Sequence, residues 1–428
     1  MPAHRARPGS DGWVRAVAGR GAWGATAGHD DSGRGLMDGW QHHAKALADA
    51  VAHPLSRWRP VVAEMPRHVF IPRWYEKAQG GGWIAHDGRA DPREWARAAY
   101  RDRTCVTRIG AVHADTIEPG TTVRGHPTSS ATLPGLLLTM YRHAMLGDGL
   151  DILDAGTGSG YGAALLTARF GARVRSCDID SYLVEVAEQR CRAAGTPIRA
   201  EAFDVTGELP AGFDLDRIVG TFAVPHVPAS WVRALRPGGR VVVTLADTTL
   251  ILVLDKQDDG TLSGGTAWDR AGFMVARHDD GAYHGDKRRE VALIGAGDVH
   301  TSPFPLVDVT RGWPLYSTFN LENPGVRHDF TDDGEGTRRA LIWADDGSWA
   351  RAESRDGAAP IVTEGGPRRL WEALDAVRER WLRDGDLPCY GARATVDPDG
   401  TTTLWRGHGA GAWKAVRRPE PPSLAKPS

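Results

Sequence analysis

The sequence predicts an α/β protein with a mainly parallel, doubly wound sheet, a helical segment ahead of it and an α+β domain behind it. Three observations lead there. Strand-like and amphipathic helix-like segments alternate between Leu150 and Asp247, a glycine-rich turn follows the first of these strands, and beyond about residue 250 the pattern changes to short strands separated by Asp-Gly turns.

The elements follow in order. "WQHHAKALADAVA" reads as a helix, and "RWRPVVAEMPRHVFIP" as a proline-flanked extended segment, with loops and short helices then expected to about Val123. The alternating core runs "LDILDAG" strand, "YGAALLTARFG" helix, "RVRSCDI" strand, "YLVEVAEQRCRAAG" helix, then strands "IRAEAFD" and "FDLDRIVGTFA". It closes with the helix "PASWVRALRPGG" and the strand "RVVVTLA"; the Pro and Gly of "LRPGG" are expected to end the helix. Strands are expected at "LILVLDK", "FMVARH", "RALIWADD", "SWARAES" and "ATVDPDGTTTLW", and one long helix at "GGPRRLWEALDAVRERWLRDG". The expected divisions are a disordered arm over 1–36, an N-terminal helical and loop segment over 37–125, the core over 126–249, the α+β extension over 250–418 and a proline-rich disordered tail over 419–428. Met37 is an alternative start.

Bulk properties exclude several classes. At 428 residues the chain exceeds the ~250–300 that one core sustains, so more than one domain is expected. Lys+Arg number 52 against 54 Asp+Glu, a formal net charge of -2, which offers no field for nucleic acid or an anionic membrane. No apolar run reaches the roughly 18 residues of a membrane helix, and the N-terminus has no apolar stretch of a secretory signal. Cys105, Cys177, Cys191 and Cys389 form no CxxC pair and no zinc spacing, so reduced thiols, a cytoplasmic location and no metal are expected.

"DILDAGTGSGYGA" carries the chemistry. Gly156, Gly158 and Gly160 follow a buried strand and precede a helix, so bare backbone can approach a ligand and the helix offers free amides to it. Asp178 ends the next strand, about twenty residues on, where an acid can accept from ribose hydroxyls. A solvated strand end or helix cap is the other reading of Asp178, and a turn cap the other reading of Asp204. NAD and S-adenosylmethionine both suit a glycine turn with a following acid. The series "AFDVTGELP" and "FDLDRIVGTFAVPHVPASWVRALRPGGRVVVTL" is similar to the later motifs of a class I methyltransferase with a Rossmann-like sheet.

Four segments narrow the resemblance: "MPRHVFIP" at 65–72, "AYRDR" at 99–103, "ILDAGTGSGYGAALL" at 152–166 and "DRIVGTFAVPHVPASWVRALRPGGRVVV" at 216–243. Together they resemble the protein-L-isoaspartate O-methyltransferases over about residues 60–247. The part after 250 resembles extensions of actinobacterial members associated with ribosomally made modified peptides. The resemblance implies S-adenosylmethionine as cofactor, held by Asp154, Gly156, Thr157, Gly158, Ser159, Gly160, Asp178, Ile179, Asp204 and Val205. It implies a hydroxyl ahead of the helix at 134 that orients the substrate carboxylate: Thr132, where the family has serine, with Ser129 and Ser130 as alternatives and a plain helix cap as the competing role. Val224, Pro225 and His226 fall on the loop that faces the substrate in that family; His226 is either a cleft residue or only a loop residue.

A carboxylic acid with a pKa near 4 is already ionised at neutral pH. Transfer to it needs orientation and exclusion of water rather than a general base, which suits a chain with no Cys-His or Ser-His-Asp arrangement. The expected partner is a peptide or protein carrying aspartate or isoaspartate, including a cyclic modified precursor of lanthipeptide type, and the ester leads on to succinimide and isoaspartate. No nucleic acid or membrane is expected, and oligomeric state stays open. General repair of isoaspartyl proteins, methylation of a base or small molecule, and a non-catalytic peptide-binding module are the competing functions. Trp343, Trp349, Trp371, Trp381 and Trp405 are either peptide contacts or core of the extension.

Overall fold

The computed structural model describes residues 39–79, 81–277, 287–407 and 412–419, so the arm expected over 1–36 and nearly all of the tail lie outside the described residues. The chain divides into two compact units. The first holds described residues of 39–139 and 156–203 together with Arg277; the second holds 140–155, 204–276, 287–407 and 412–419.

The first unit opens with helices α1 (Trp40–Val51) and α2 (Trp58–Glu64) and a 3-10 turn at Arg67–Phe70. The extended segment expected here is therefore helical: Pro60 falls in the first turn of α2, where its missing N–H is not needed. There follow β1 (Arg73–Lys77), β2 (Trp83–Asp87), α3 (Pro92–Ala99), β3 (Cys105–Ile109), β4 (Val112–His113), β5 (Thr122–Val123) and β6 (Pro127–Ala131). They form an antiparallel sheet in the order β4-β3-β1-β2-β5, with β6 also paired to β3. Loops and short helices were the expectation for this stretch. Strands of two to five residues, such as "RWYEK" and "WIAHD", are too short for alternation to stand out, and their apolar members, Tyr75, Ala85, Val106 and Ile109, make a core only after pairing. Helix α3 has a legible start: the Asp91 side chain accepts from the amides of Arg93 and Glu94, with Pro92 at the first position.

Next come α4 (Pro134–His143), β7 (Ile152–Ala155), α5 (Tyr161–Phe170), β8 (Val174–Asp178), α6 (Ser181–Ala193), β9 (Ala200–Ala202), β10 (Leu215–Val224), α7 (Ala229–Ala234) and β11 (Leu235–Leu245). In the first unit β8 pairs parallel with β9; in the second β10 pairs parallel with both β7 and β11. Strands alternating with helices, all of these pairs parallel, make the doubly wound α/β fold of a class I methyltransferase. "LRPGG" does not end α7 as expected. The helix stops at Ala234, and the five residues enter β11 through a register shift opposite Leu215 and Arg217, where Pro237 brings no N–H to the ladder.

The second unit continues with β12 (Leu250–Lys256), β13 (Leu262–Arg270), α8 (Lys287–Ile294), β14 (Asp298–Thr301), α9 (Trp313–Glu322), β15 (Val326–Asp332), β16 (Thr337–Ala344), β17 (Trp349–Arg355), β18 (Ile361–Gly365), α10 (Leu370–Asp384), β19 (Arg393–Val396), β20 (Thr402–Arg406) and β21 (Trp413–Arg417). The core sheet does not stop near 249: antiparallel pairing carries it from β11 through β12, β13, β19 and β20 to β21. Strands β14-β18-β17-β16-β15 form a separate antiparallel sheet. Helices α8 and α9 were not foreseen, and the described residues of "FMVARH", 273–277, make a single bridge, Val275 to Ala223. Strand β16 shows why the second sheet is stable. Ala340, Ile342 and Ala344 join one core with Phe319 and Trp371, while Leu341 and Trp343 join Ala292 and Trp349 in another, so alternate residues are buried on opposite faces. Trp343, Trp349 and Trp371 are thus core residues; Trp405 is half-buried and Trp381 is 37% exposed. All four cysteines are free and buried. No helix among the described residues is long and apolar enough to cross a membrane.

Trp95, 2% exposed, donates its indole N–H to the Ile71 carbonyl at 2.7 Å. A Cβ at Gly88 would fall 2.3 Å from that ring. Gly88→Ala is expected to destabilise the chain by ~1–3 kcal/mol, the range for overpacking a filled site, read as a lower midpoint in chemical denaturation with an unchanged slope.

Candidate active site

In the first unit, the glycine turn closes on the end of β8. The amides of Gly156 and Thr157 both donate to the Cys177 carbonyl, at 2.8 and 3.1 Å, and the Gly158 amide donates to Asp178 Oδ2 at 2.9 Å. The other carboxylate oxygen of Asp178 accepts from the Asp180 amide at 3.1 Å. Asp178 is half-buried, and burial pushes its carboxyl above the usual range against the pull of those two amides. Gly158 has φ +52°, and a Cβ there would meet the Ser130 carbonyl at 3.2 Å; Gly160 has φ +90°, and a Cβ there would stand 2.9 Å from Ala187 Cβ. Only glycine lets the turn pass this close to β6 and α6.

The side chains of the turn are largely occupied. Thr157 and Ser176 share a buried hydroxyl hydrogen bond at 2.7 Å, and buried Ser159 Oγ accepts weakly from the Tyr161 amide at 3.4 Å, so what these residues can offer a ligand is mainly backbone. Ile179, next in the chain, is half-buried. Asp180 caps α6 through the amides of Tyr182 and Leu183 and lies 3.0 Å from His113 Nε2 and 3.5 Å from Arg108 Nε. Burial works against its charge, but the contacts with His113 and Arg108 outweigh it and hold its carboxyl below the usual range.

Strand β6 carries two of the candidate hydroxyl residues, Ser129 and Ser130, past the turn, and Thr132 lies just beyond its end. Ser129 is buried and accepts from the Thr107 hydroxyl at 3.3 Å, with its Oγ 3.9 Å from the Cβ position of Gly158. Ser130 is the residue whose carbonyl faces Gly158. Thr132 follows, and it does not cap α4: the Leu133 amide donates to Thr104 Oγ1 at 3.3 Å and the Gly135 amide to Asp102 Oδ1 at 2.7 Å. The Thr132 hydroxyl has no hydrogen bond among the described residues.

What holds this strand end is Arg67, 0% exposed. Nη1 donates to the carbonyls of Ala99 and Arg101 at 2.6 and 3.2 Å; Nη2 donates to those of Arg103, Ala131 and Thr132 at 3.0, 3.4 and 3.1 Å. The guanidinium also stands 5.2 Å from the centre of the Tyr161 ring, the first residue of α5. Neighbouring His68 meets the Tyr100 hydroxyl at 2.6 Å. Segments 65–72 and 99–103, read above only as marks of resemblance, thus serve together: one supplies the arginine, the other its acceptors and, in Asp102, the cap of α4. Sequence reasoning assigned Arg67 and Asp102 no role, because each acts on residues more than thirty positions away.

In the second unit Asp154 is buried at the end of β7. Asp204 Oδ1 accepts from the amide and hydroxyl of Thr206 at 2.9 and 2.6 Å, which makes it at least a turn cap, and the carbonyl of buried Val205 accepts from Trp231 Nε1 at 2.7 Å. Val224, expected on the loop, is instead the buried last residue of β10; the loop after it carries exposed Pro225 and half-buried His226. This loop rests on the β19–β20 turn: the Val227 amide donates to Thr402 Oγ1 at 3.2 Å, and a Cβ at Gly400 would lie 2.7 Å from the Val227 carbonyl.

Arg67→Ala would strand five buried or half-buried carbonyls. Hydrogen bonds to a charged group are worth ~1.5–3 kcal/mol each, and the combined loss is expected at about 3 kcal/mol or more by chemical denaturation. Arg67→Lys is expected to lose most of the same stability, since one ammonium cannot reproduce the fork.

Residues 116–270 match the model described as Protein-L-isoaspartate(D-aspartate) O-methyltransferase (PCMT). Protein-L-isoaspartate O-methyltransferase 1 of Cupriavidus necator is 33% identical over 141 residues, 30% of this chain and 51% of the relative, so the chain spans about half the length of that protein. Protein-L-isoaspartate O-methyltransferase 2 of Archaeoglobus fulgidus is 28% identical over 246 residues, 55% of this chain and 93% of the relative. A solved protein-L-isoaspartate O-methyltransferase superposes with a TM-score of 0.45 at 16% identity, covering 88% of this chain and 99% of that one. From the end of the N-terminal sheet through β13, then, the chain carries the sequence pattern of the protein-L-isoaspartate(D-aspartate) O-methyltransferases.

Proposed function

We propose that this protein is an S-adenosylmethionine-dependent O-methyltransferase that esterifies an aspartyl or isoaspartyl carboxylate of a peptide or protein. The observation that carries the reading is the Gly158 amide bonded to Asp178 at 2.9 Å, which locks a side-chain-free turn against an acid. These residues suit the cofactor. Each Asp178 oxygen receives one amide and keeps lone pairs for a vicinal diol, and the backbone at Gly156, Gly158 and Gly160 has no side chain to displace. When bound, the cofactor supplies a sulfonium methyl that a carboxylate oxygen takes as the carbon–sulfur bond breaks, so no proton has to leave the nucleophile.

The protein's own task is to orient that oxygen and keep water out. Thr132 is the donor in this reading: its hydroxyl is uncommitted, and its carbonyl is fixed by Arg67. Ser130 is the nearest substitute. The methyl ester lets the following backbone nitrogen close a succinimide with loss of methanol, and hydrolysis then gives aspartate and isoaspartate. We extend the reading to maturation of a ribosomally made, ring-constrained peptide, with the C-terminal extension helping to select one aspartate. What supports this is the Val227–Thr402 hydrogen bond, through which the extension braces the loop that carries Pro225 and His226.

The test is methyl transfer followed by mass spectrometry, with an isoaspartyl peptide and a ring-constrained precursor peptide as separate substrates. Transfer to the precursor with methanol loss supports maturation; transfer to the isoaspartyl peptide alone leaves general repair; transfer to neither removes the methyltransferase reading. Thr132→Ala is expected to lower turnover roughly ten- to a thousandfold with cofactor affinity unchanged, and Thr132→Ser to retain it.

Asp178→Asn is expected to weaken cofactor binding about tenfold or more by calorimetry, since hydrogen bonds to a charged acceptor are the stronger ones. Wild-type affinity is expected to fall as pH is lowered. The folded Asp178 carboxyl titrates above the ordinary aspartate range, so protonation removes the charged acceptor sooner than for an exposed aspartate. The Asn variant should lose that dependence.

A further inference from the structure

We propose that His300, Glu364 and Glu372 form a binding site for one zinc-type divalent cation, which ties the edge strand β14 to helix α10. The three ligand atoms, one imidazole nitrogen and two carboxylate oxygens, lie within 4.8 Å of one another. Three elements bring them together. His300 sits on β14 and Glu364 on β18, a diagonal pair of the antiparallel ladder in which His300 is opposite Val362 and Glu364 opposite Asp298. Glu372 lies in the first turn of α10.

Glu364 is the observation that points to a ligand. The residue is 0% exposed, and its Oε2 accepts from the Trp371 amide at 2.9 Å, capping α10. Its Oε1 is buried without a hydrogen-bond partner, and so is His300 Nε2, the atom it faces. A buried carboxylate oxygen left unmatched is costly. Arg369 does not relieve it, because that side chain donates to the Glu364 backbone carbonyl and pairs with Asp298.

The separation is informative. His300 Nε2 and Glu364 Oε1 are 3.7 Å apart, too far for a hydrogen bond. Among the described residues other imidazole–carboxylate pairs close to 3.0 Å at His113–Asp180 and 2.8 Å at His143–Asp269, while His86–Glu76 stands at 4.0 Å with Glu76 already paired to Arg103; Glu364 Oε1 has no such second partner. Two ligands of a tetrahedral ion at roughly 2.0–2.2 Å stand about 3.4 Å from each other. The pair is thus near the spacing an ion imposes, and Glu372, exposed and free to rotate, completes three ligands with water as the fourth. One nitrogen and two carboxylate oxygens suit zinc better than the all-oxygen sets of calcium or magnesium. The ligands are scattered over three elements with no CxxC spacing, so no sequence motif marks them.

The test is calorimetric titration of zinc chloride into the full chain after treatment with a chelator, for the wild type and for E372Q, H300N and E364Q, with thermal unfolding read with and without zinc. The expected result is one ion per chain, affinity at least tenfold weaker in each variant, and a zinc-dependent rise in Tm that E372Q loses. Because Glu372 is exposed, E372Q keeps the test valid even where E364Q fails to fold. Absence of zinc uptake by the wild type, or uptake by E372Q and H300N equal to the wild type, would overturn the proposal.

Discussion

One buried guanidinium organises the first unit. Arg67 gathers the carbonyls of Ala99, Arg101, Arg103, Ala131 and Thr132, so the end of α3, the turn after it and the exit of β6 share a single anchor. The arrangement suits arginine, whose planar fork serves several acceptors at once and is weakly hydrated for a cation. Five carbonyl dipoles and the face of Tyr161 meet the charge in place of a carboxylate. Because Tyr161 opens α5 and Ser130 abuts Gly158, the anchor also bears on the glycine turn.

The geometry of the glycine turn was legible where it is local in sequence. Gly156, Gly158, Gly160 and Asp178 stand at a spacing set by one strand–turn–helix–strand unit, and the Gly158–Asp178 hydrogen bond shows that they meet. The parallel core was legible for the same reason, since strands buried on both faces read as apolar runs between amphipathic helices. The N-terminal sheet was not. Its strands are short, and their pairing joins residues such as Arg73 with Asp87 and Cys105 with Ala131, contacts that no periodicity announces. The competing role of Thr132, a helix cap, rested on sequence proximity, whereas the amides at the start of α4 are met by Asp102 and Thr104 across the fold.

The part after residue 250 is less separate than its change of periodicity suggested. Strands β12, β13, β19, β20 and β21 lengthen the core sheet, while β14 to β18 build a second sheet between two helical faces. Its buried tryptophans fill those cores and so contribute to stability rather than to a peptide surface. What the extension contributes here is mechanical: the β19–β20 turn holds the loop that carries Pro225 and His226.

The central claim is that Arg67 serves the reaction by fixing Thr132, and a double-mutant cycle on turnover addresses it most directly. Methyl transfer is measured for the wild type, Arg67→Lys, Thr132→Ala and the double variant, at temperatures where each is folded by circular dichroism. Strong coupling is expected, with the double variant no slower than Thr132→Ala within about twofold, because the hydroxyl that Arg67 serves is already gone. Losses that multiply independently would contradict it, and would confine Arg67 to the stability of the fold.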